Sequence, residues 1–134
     1  MNEGIHGYIQ QELKKARSAL KAAEKLLAEN LAEDSVSRAY YAVFHSARAA
    51  LKVKQIETKS HQGLIRAFAL YLIKPGLLEV EYGDILRQEK EDRETGDYDP
   101  FVTFQIEEAE KTVKDAKRFI ERIELFLKES GIKD

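Results

Sequence analysis

IEEAEKTVKDAKRFIERIELFL, residues 106–127, places Ile106, Ala109, Val113, Ala116, Ile120, Ile123 and Leu127 at alternating steps of three and four. That spacing winds one apolar stripe along a helix for three heptads, and Phe119 and Phe126 widen it. A stripe this long is stable only when another element covers it. The rest of the chain supplies covers of the same kind. Ile9, Leu13, Ala16, Leu20, Ala23 and Leu27 repeat the pattern over about five turns, and Asn30 is a natural stop. Asp34 or Ser35 is expected to cap a second helix, whose apolar side runs through Val36, Tyr40, Val43, Phe44, Ala47 and Leu51.

Thr58 or Ser60 should start a third helix, carrying Leu64, Ile65, Phe68, Leu72 and Ile73 until Lys74, Pro75 and Gly76 interrupt it. A fourth and more polar helix is expected from Leu77 to Glu94, and the turn formers from Thr95 to Pro100 read as an ordered loop. Short links make successive helices antiparallel. The expectation is an all-α, up-and-down bundle of four longer helices plus a short one, with residues 1–134 forming a single domain.

Composition narrows the chemistry. With no cysteine, the chain has no disulfide framework, thiolate metal site or cysteine nucleophile. Twenty-two Lys and Arg against 24 Asp and Glu leave a net charge of −2, so a nucleic acid would have to find a local patch. The longest strongly apolar run, Leu64 to Ile73, is broken by Arg66 and falls short of the roughly 20 residues that span a bilayer. The first residues lack the pattern of a secretory signal, so a cytoplasmic protein with no membrane association is expected. Asp97 and Asp99 form an Asp-x-Asp, but no strand is expected to present them to a metal. Neither metal nor cofactor is expected.

The chemistry-bearing residues concentrate on the second helix. Arg38 and His45 are seven positions apart, a rotation of about 700°, so both leave one face with Cα atoms about 10 Å apart. A guanidinium holds phosphate through paired hydrogen bonds, and an imidazole moves a proton near neutral pH. Together they could act on a phosphodiester without metal. Arg38, Tyr41, His45 and Arg48 recur at steps of three, four and three, a polar and aromatic seam suited to a subunit contact. Two copies meeting there about a twofold axis would join two arginines and two histidines in one cleft.

The run Ser37-Arg-Ala-Tyr-Tyr-Ala-Val-Phe-His-Ser-Ala-Arg-Ala-Ala-Leu51 resembles the signature helix of HEPN domains, with Arg38 and His45 matching the family's Arg, four to six residues, His motif. Lys59, Ser60, His61, Gln62 and Gly63 at the third helix, then Arg93, Asp97 and Tyr98, extend the resemblance over roughly Leu13 to Leu127. The resemblance implies a helical bundle that dimerises through the motif helix, a prokaryotic toxin often paired with a minimal nucleotidyltransferase as antitoxin. It further implies a metal-independent endoribonuclease that leaves 2′,3′-cyclic phosphate ends. His45 would then transfer protons and Arg38 would stabilise the phosphorane. Tyr41 would orient the imidazole or stack on a base, and Ser37 would contact a phosphate. Arg48, Arg93 and Tyr98 would assist in binding or orientation.

A second reading stays open, that of a non-catalytic nucleotide-binding or partner-docking module using the same residues. The chain departs from the family at Ala39, where active members often carry Asn, Asp or His. It departs again at Ala47, where some toxins carry a tyrosine that receives adenylate, so modification there is not implied. Tyr40 and Phe44 read as packing residues, His61 as a local hydrogen-bonding group, and His6 as part of a frayed end. Arg93 and Asp97 could equally staple a loop. The outer helices read as solvated faces with pairs such as Glu107 and Lys111.

Overall fold

The computed structural model describes residues 3–132, and among these every regular element is helical. Helix α1 spans Glu3–Ala28 and α2 spans Ala32–Val53. Helix α3, His61–Phe68, runs directly into a π-helical stretch, Ala69–Ile73. Helices α4 and α5 follow at Val80–Tyr98 and Ile106–Glu129. The all-α bundle is as expected, with the third segment as the short one. No helix among the described residues is long and apolar enough to cross a membrane.

Helix α2 is the hub. It packs against α1 along much of its length and also meets α3, α4 and α5. Its sequence permits this because Ala39, Ala42, Ala47, Ala49 and Ala50 are fully buried and present no bulk to hold a neighbour away. Ala16, Ala19 and Ala23 do the same on α1. The larger volume is filled by Tyr40, Phe68 and Phe119, with the Phe68 and Phe119 rings stacked at 5.4 Å between centroids. Most of the α5 stripe read from the sequence lies in this core.

Several boundaries differ from expectation. Asn30 does end α1, in the left-handed conformation with φ 61° that asparagine tolerates. Helix α2, however, starts at Ala32 and has no side-chain cap, so neither Asp34 nor Ser35 is the N-cap. Ser35 instead donates from Oγ to the Ala23 carbonyl at 2.7 Å, a buried tie between α1 and α2. Ser60 caps α3 by accepting from the Gly63 amide at 2.9 Å, as one of the two expected starts. His6 lies inside the first turns of α1 rather than in a frayed end, because α1 reaches back to Glu3.

The fourth helix starts at Val80, not Leu77. Leu78 is buried and its amide reaches back to the Leu72 carbonyl at 3.0 Å, while Arg122 donates to the Leu77 carbonyl at 3.2 Å. Those ties hold 77–79 outside helical geometry. At its other end α4 runs through Thr95, Gly96, Asp97 and Tyr98, which were expected in a loop. A Cβ on Gly96 would come within 2.6 Å of the Phe104 ring, so this glycine faces an aromatic cover. The ion pair of Arg93 with Asp97, 3.0 Å across one helical turn, adds to the same continuation. Tertiary packing and a local ion pair outweigh turn propensity here. Lys111 pairs with Asp115 at 2.8 Å rather than with Glu107, drawn toward the acidic cleft that Glu89 and Asp92 share with Asp115.

Candidate functional site

The seam on α2 is not a bare surface but is braced from both sides. On one flank His45 Nδ1 lies 2.8 Å from Glu12 Oε2 of α1. An ionised carboxylate only accepts, so Nδ1 carries a proton and donates, and Nε2 is the ring nitrogen that Glu12 leaves unengaged. Arg48 sits 3.6 Å from the other Glu12 oxygen and donates to the Tyr8 hydroxyl at 2.5 Å. Burial alone would raise the Glu12 pKa, but the His45 hydrogen bond and the Arg48 charge outweigh it and bring it below 4.5. Glu12 is only 7% exposed, so its charge acts in a poorly solvated setting.

On the other flank Arg93 of α4 donates to the Tyr41 hydroxyl at 3.0 Å. Its guanidinium lies 5.3 Å from the Tyr41 ring centroid and 5.7 Å from that of Tyr40. Arg93 Nε is 3.0 Å from Asp97 Oδ2, yet that nitrogen has no aligned hydrogen-bond acceptor, so the contact is a charge pair of poor directionality. Asp97 thus staples one turn of α4 while Arg93 supports Tyr41. The pair therefore bridges a turn of helix and not the loop expected from the sequence, because 95–98 continue α4.

Arg38 is exposed, makes no ion pair among the described residues, and holds its guanidinium 5.4 Å over the Tyr41 ring. Tyr41 therefore joins Arg38 and Arg93, and the Phe44 ring lies between Tyr41 at 6.4 Å and His45 at 5.1 Å. Ser37 is half-buried with no side-chain hydrogen bond among the described residues. Tyr98 is 74% exposed and joins none of these contacts. The structure gathers Arg38, Tyr41 and Arg93 into one group, and His45 and Arg48 into another around Glu12.

Three participants escaped the sequence reading. Glu12 and Tyr8 lie one turn apart on α1 at the edge of its apolar stripe, where a charged neighbour is ordinary and signals little. Phe44, assigned to packing, also faces the site: it stacks on His61 at 4.8 Å and receives the Arg48 guanidinium at 5.5 Å. His61 Nδ1 shares a hydrogen bond with the buried Tyr40 hydroxyl of α2, 21 positions away, so its partner is a tertiary one and not the local one expected in the first turn of α3. A cleft of 510 Å³ elsewhere, lined by Leu13, Leu125, Leu127 and Ile132, brings together none of the candidate groups. No group of three or more His, Cys, Asp and Glu among the described residues is arranged to hold a metal.

The sequence profile of the HEPN domain matches residues 9–126, nearly the whole bundle and all of the braced seam. This chain belongs to the HEPN family. It is 39% identical over 129 residues to a Methanocaldococcus jannaschii protein named "Putative toxin MJ0605", covering 96% of each chain. A second protein of that organism, "Putative toxin MJ0142", is 31% identical over 89% of this chain and 81% of its own. A Thermotoga maritima protein named UPF0332 is 31% identical over 87% and 88%. As in the HEPN motif, Arg38 and His45 both occupy the hub helix, so the family signature is carried by the element most firmly held in the fold.

Proposed function

We propose that this HEPN protein is a toxin-like, metal-independent endoribonuclease whose site is completed by a second copy of the chain. The observation that carries the reading is the Glu12 to His45 hydrogen bond, which leaves Nε2 available for proton transfer on the same helix as an unpaired Arg38. In the reaction the ribose 2′-oxygen attacks the adjacent phosphorus while one imidazole Nε2 takes the hydroxyl proton. The bond from phosphorus to the 5′-oxygen breaks, and an imidazolium returns a proton to that oxygen. The products are a 2′,3′-cyclic phosphate and a 5′-hydroxyl. Arg38 stabilises charge on the equatorial oxygens, and a twofold pairing supplies separate histidines for acid and base. Tyr41 orients Arg38 through their stacked contact.

The toxin names of the relatives support a neutralising partner, and the HEPN resemblance makes a minimal nucleotidyltransferase the expected one. The test is cleavage of structured and unstructured RNA by purified protein in EDTA, with Arg38→Ala and His45→Ala prepared identically. Cleavage by wild type that both variants lose supports the reading; wild-type activity retained by His45→Ala overturns it. Ala39 is fully buried where the HEPN resemblance implies a polar residue in an active site, which favours the second reading, a non-catalytic nucleotide-binding or partner-docking module. RNA or partner binding by a protein that cleaves no RNA would decide for that module.

A further inference from the structure

The segment Thr58-Lys59-Ser60-His61 is absorbed by neither the fold alone nor the chemistry at Arg38 and His45. It closes a cleft of 100 Å³ with Phe44 and Arg48 of α2, room for one small tetrahedral anion and little else. Every polar side chain on its wall can donate. The wall carries no carboxylate, in a chain whose acids outnumber its Lys and Arg. Lys59 is exposed and makes no ion pair among the described residues. Ser60 Oγ accepts from the Gly63 amide, so its own proton points elsewhere.

His61 adds a donor whose tautomer is set by its partner. The Tyr40 phenol is buried and its pKa is pushed up, first by desolvation, so it stays protonated and donates to His61 Nδ1. The remaining ring nitrogen, Nε2, must then carry the hydrogen of the neutral imidazole. Burial, then the charges of Arg93 and Lys90, lower the His61 pKa and keep it in that neutral form. The nearby acids are already engaged: Glu12 with His45 and Arg48, and Glu57 with Lys52 at 2.5 Å, while Glu94 pairs with Lys90. A phosphate entering here meets donors without meeting a free carboxylate on the wall.

The cleft also adjoins the candidate catalytic group. The Phe44 ring separates them, 4.8 Å from His61 on one side and 5.1 Å from His45 on the other, and Arg48 shares Glu12 with His45. We propose that the cleft walled by Arg48, Thr58, Lys59, Ser60 and His61 is a phosphate subsite that holds the strand next to the linkage at Arg38 and His45. Its assignment to an RNA strand rests on the endoribonuclease reading; its donor chemistry does not.

The experiment measures the affinity of a 2′-O-methyl oligonucleotide, which cannot be cleaved by 2′-oxygen attack, as a function of salt. It compares wild type, Lys59→Gln and, as a control on α5, Lys114→Gln. Loss of one phosphate contact reduces the slope of log affinity against log salt by about 0.7 for a single strand. That reduction is expected for Lys59→Gln and not for Lys114→Gln. A parallel titration with inorganic phosphate should move the backbone amide resonances of Lys59, Ser60 and His61, and chloride at equal ionic strength should not. An unchanged slope in Lys59→Gln overturns the RNA subsite, even if inorganic phosphate moves those resonances. Cleavage assays on unmodified RNA separate the two claims. Cleavage with a Lys59-independent slope removes the subsite alone, and no cleavage with a Lys59-dependent slope removes the nuclease reading alone.

Discussion

At the scale of single residues, Glu12 controls more than its position on α1 suggests. It fixes the His45 tautomer, balances Arg48, and is held below its ordinary pKa by both. Glu12→Gln keeps an oxygen for Nδ1–H but removes the negative charge beside the imidazole ring. Under the nuclease reading kcat should fall about tenfold or more, yet less than the roughly 10²–10⁴-fold expected when His45 itself is removed. The check is single-turnover cleavage across pH. Because its folded pKa is depressed, Glu12 contributes stability that is present above pH 4.5 and lost as pH falls through the folded value. Glu12→Gln should lose that part of the acid dependence, read from urea unfolding at a series of pH values.

Glu89 has the opposite sign. It is 2% exposed, its Oε1 has no partner, and its pKa is raised well above 4.5 by burial and then by the Asp115 and Asp92 charges. The folded state therefore holds this proton more tightly than the unfolded chain does. Stability should decline as pH rises from 4.5 through the folded value, by this group alone. Glu89→Gln should raise Tm at about pH 8 and change it little below pH 4.5. Thermal unfolding of both proteins at the two pH values checks it, and an equal gain at both would refute the assignment.

At the scale of elements, the end of α4 is the informative case. Thr95, Gly96, Asp97 and Tyr98 have the composition of a turn, yet they continue a helix because Phe104 covers Gly96 and Arg93 reaches Asp97. Gly96→Ala would normally favour a helix by roughly 1 kcal/mol. Here the added methyl meets the Phe104 ring at 2.6 Å, so a net loss of about 1–3 kcal/mol is expected from displacing that ring. Equilibrium denaturation would measure it; a stabilised variant would mean that Phe104 moves freely. The amphipathic helices behaved otherwise. In α1, α2 and α5 the period of the apolar residues named the buried faces, since removal of those side chains from water dominates the local preferences.

At the scale of the whole molecule, the nuclease reading depends on pairing two chains of 15.4 kDa each. His45→Ala, inactive alone, should poison wild type when the two are unfolded and refolded together, because a mixed dimer carries one His45 where the reaction uses two. Sedimentation of the same mixtures reports whether dimers form. Activity that falls faster than the share of wild-type chains supports the shared cleft. Activity that simply follows that share, in a mixture that is demonstrably dimeric, would place each site within a single chain.

The periodicity of the sequence by itself determined an all-α bundle and its main apolar stripes, and the placement of Arg38 and His45 on one helix gave the family motif its physical meaning. Those features follow from a repeat of 3.6 residues and the exclusion of apolar groups from water, both of which act along the chain. Only the tertiary structure decided that Glu12 and Tyr8 brace His45 and Arg48, that Arg93 supports Tyr41, and that His61 turns toward Tyr40. Those contacts join residues 21 to 52 positions apart. Hydrogen bonds and ion pairs act over a few ångströms in directions set by packing, so nothing in the local order of residues announces them.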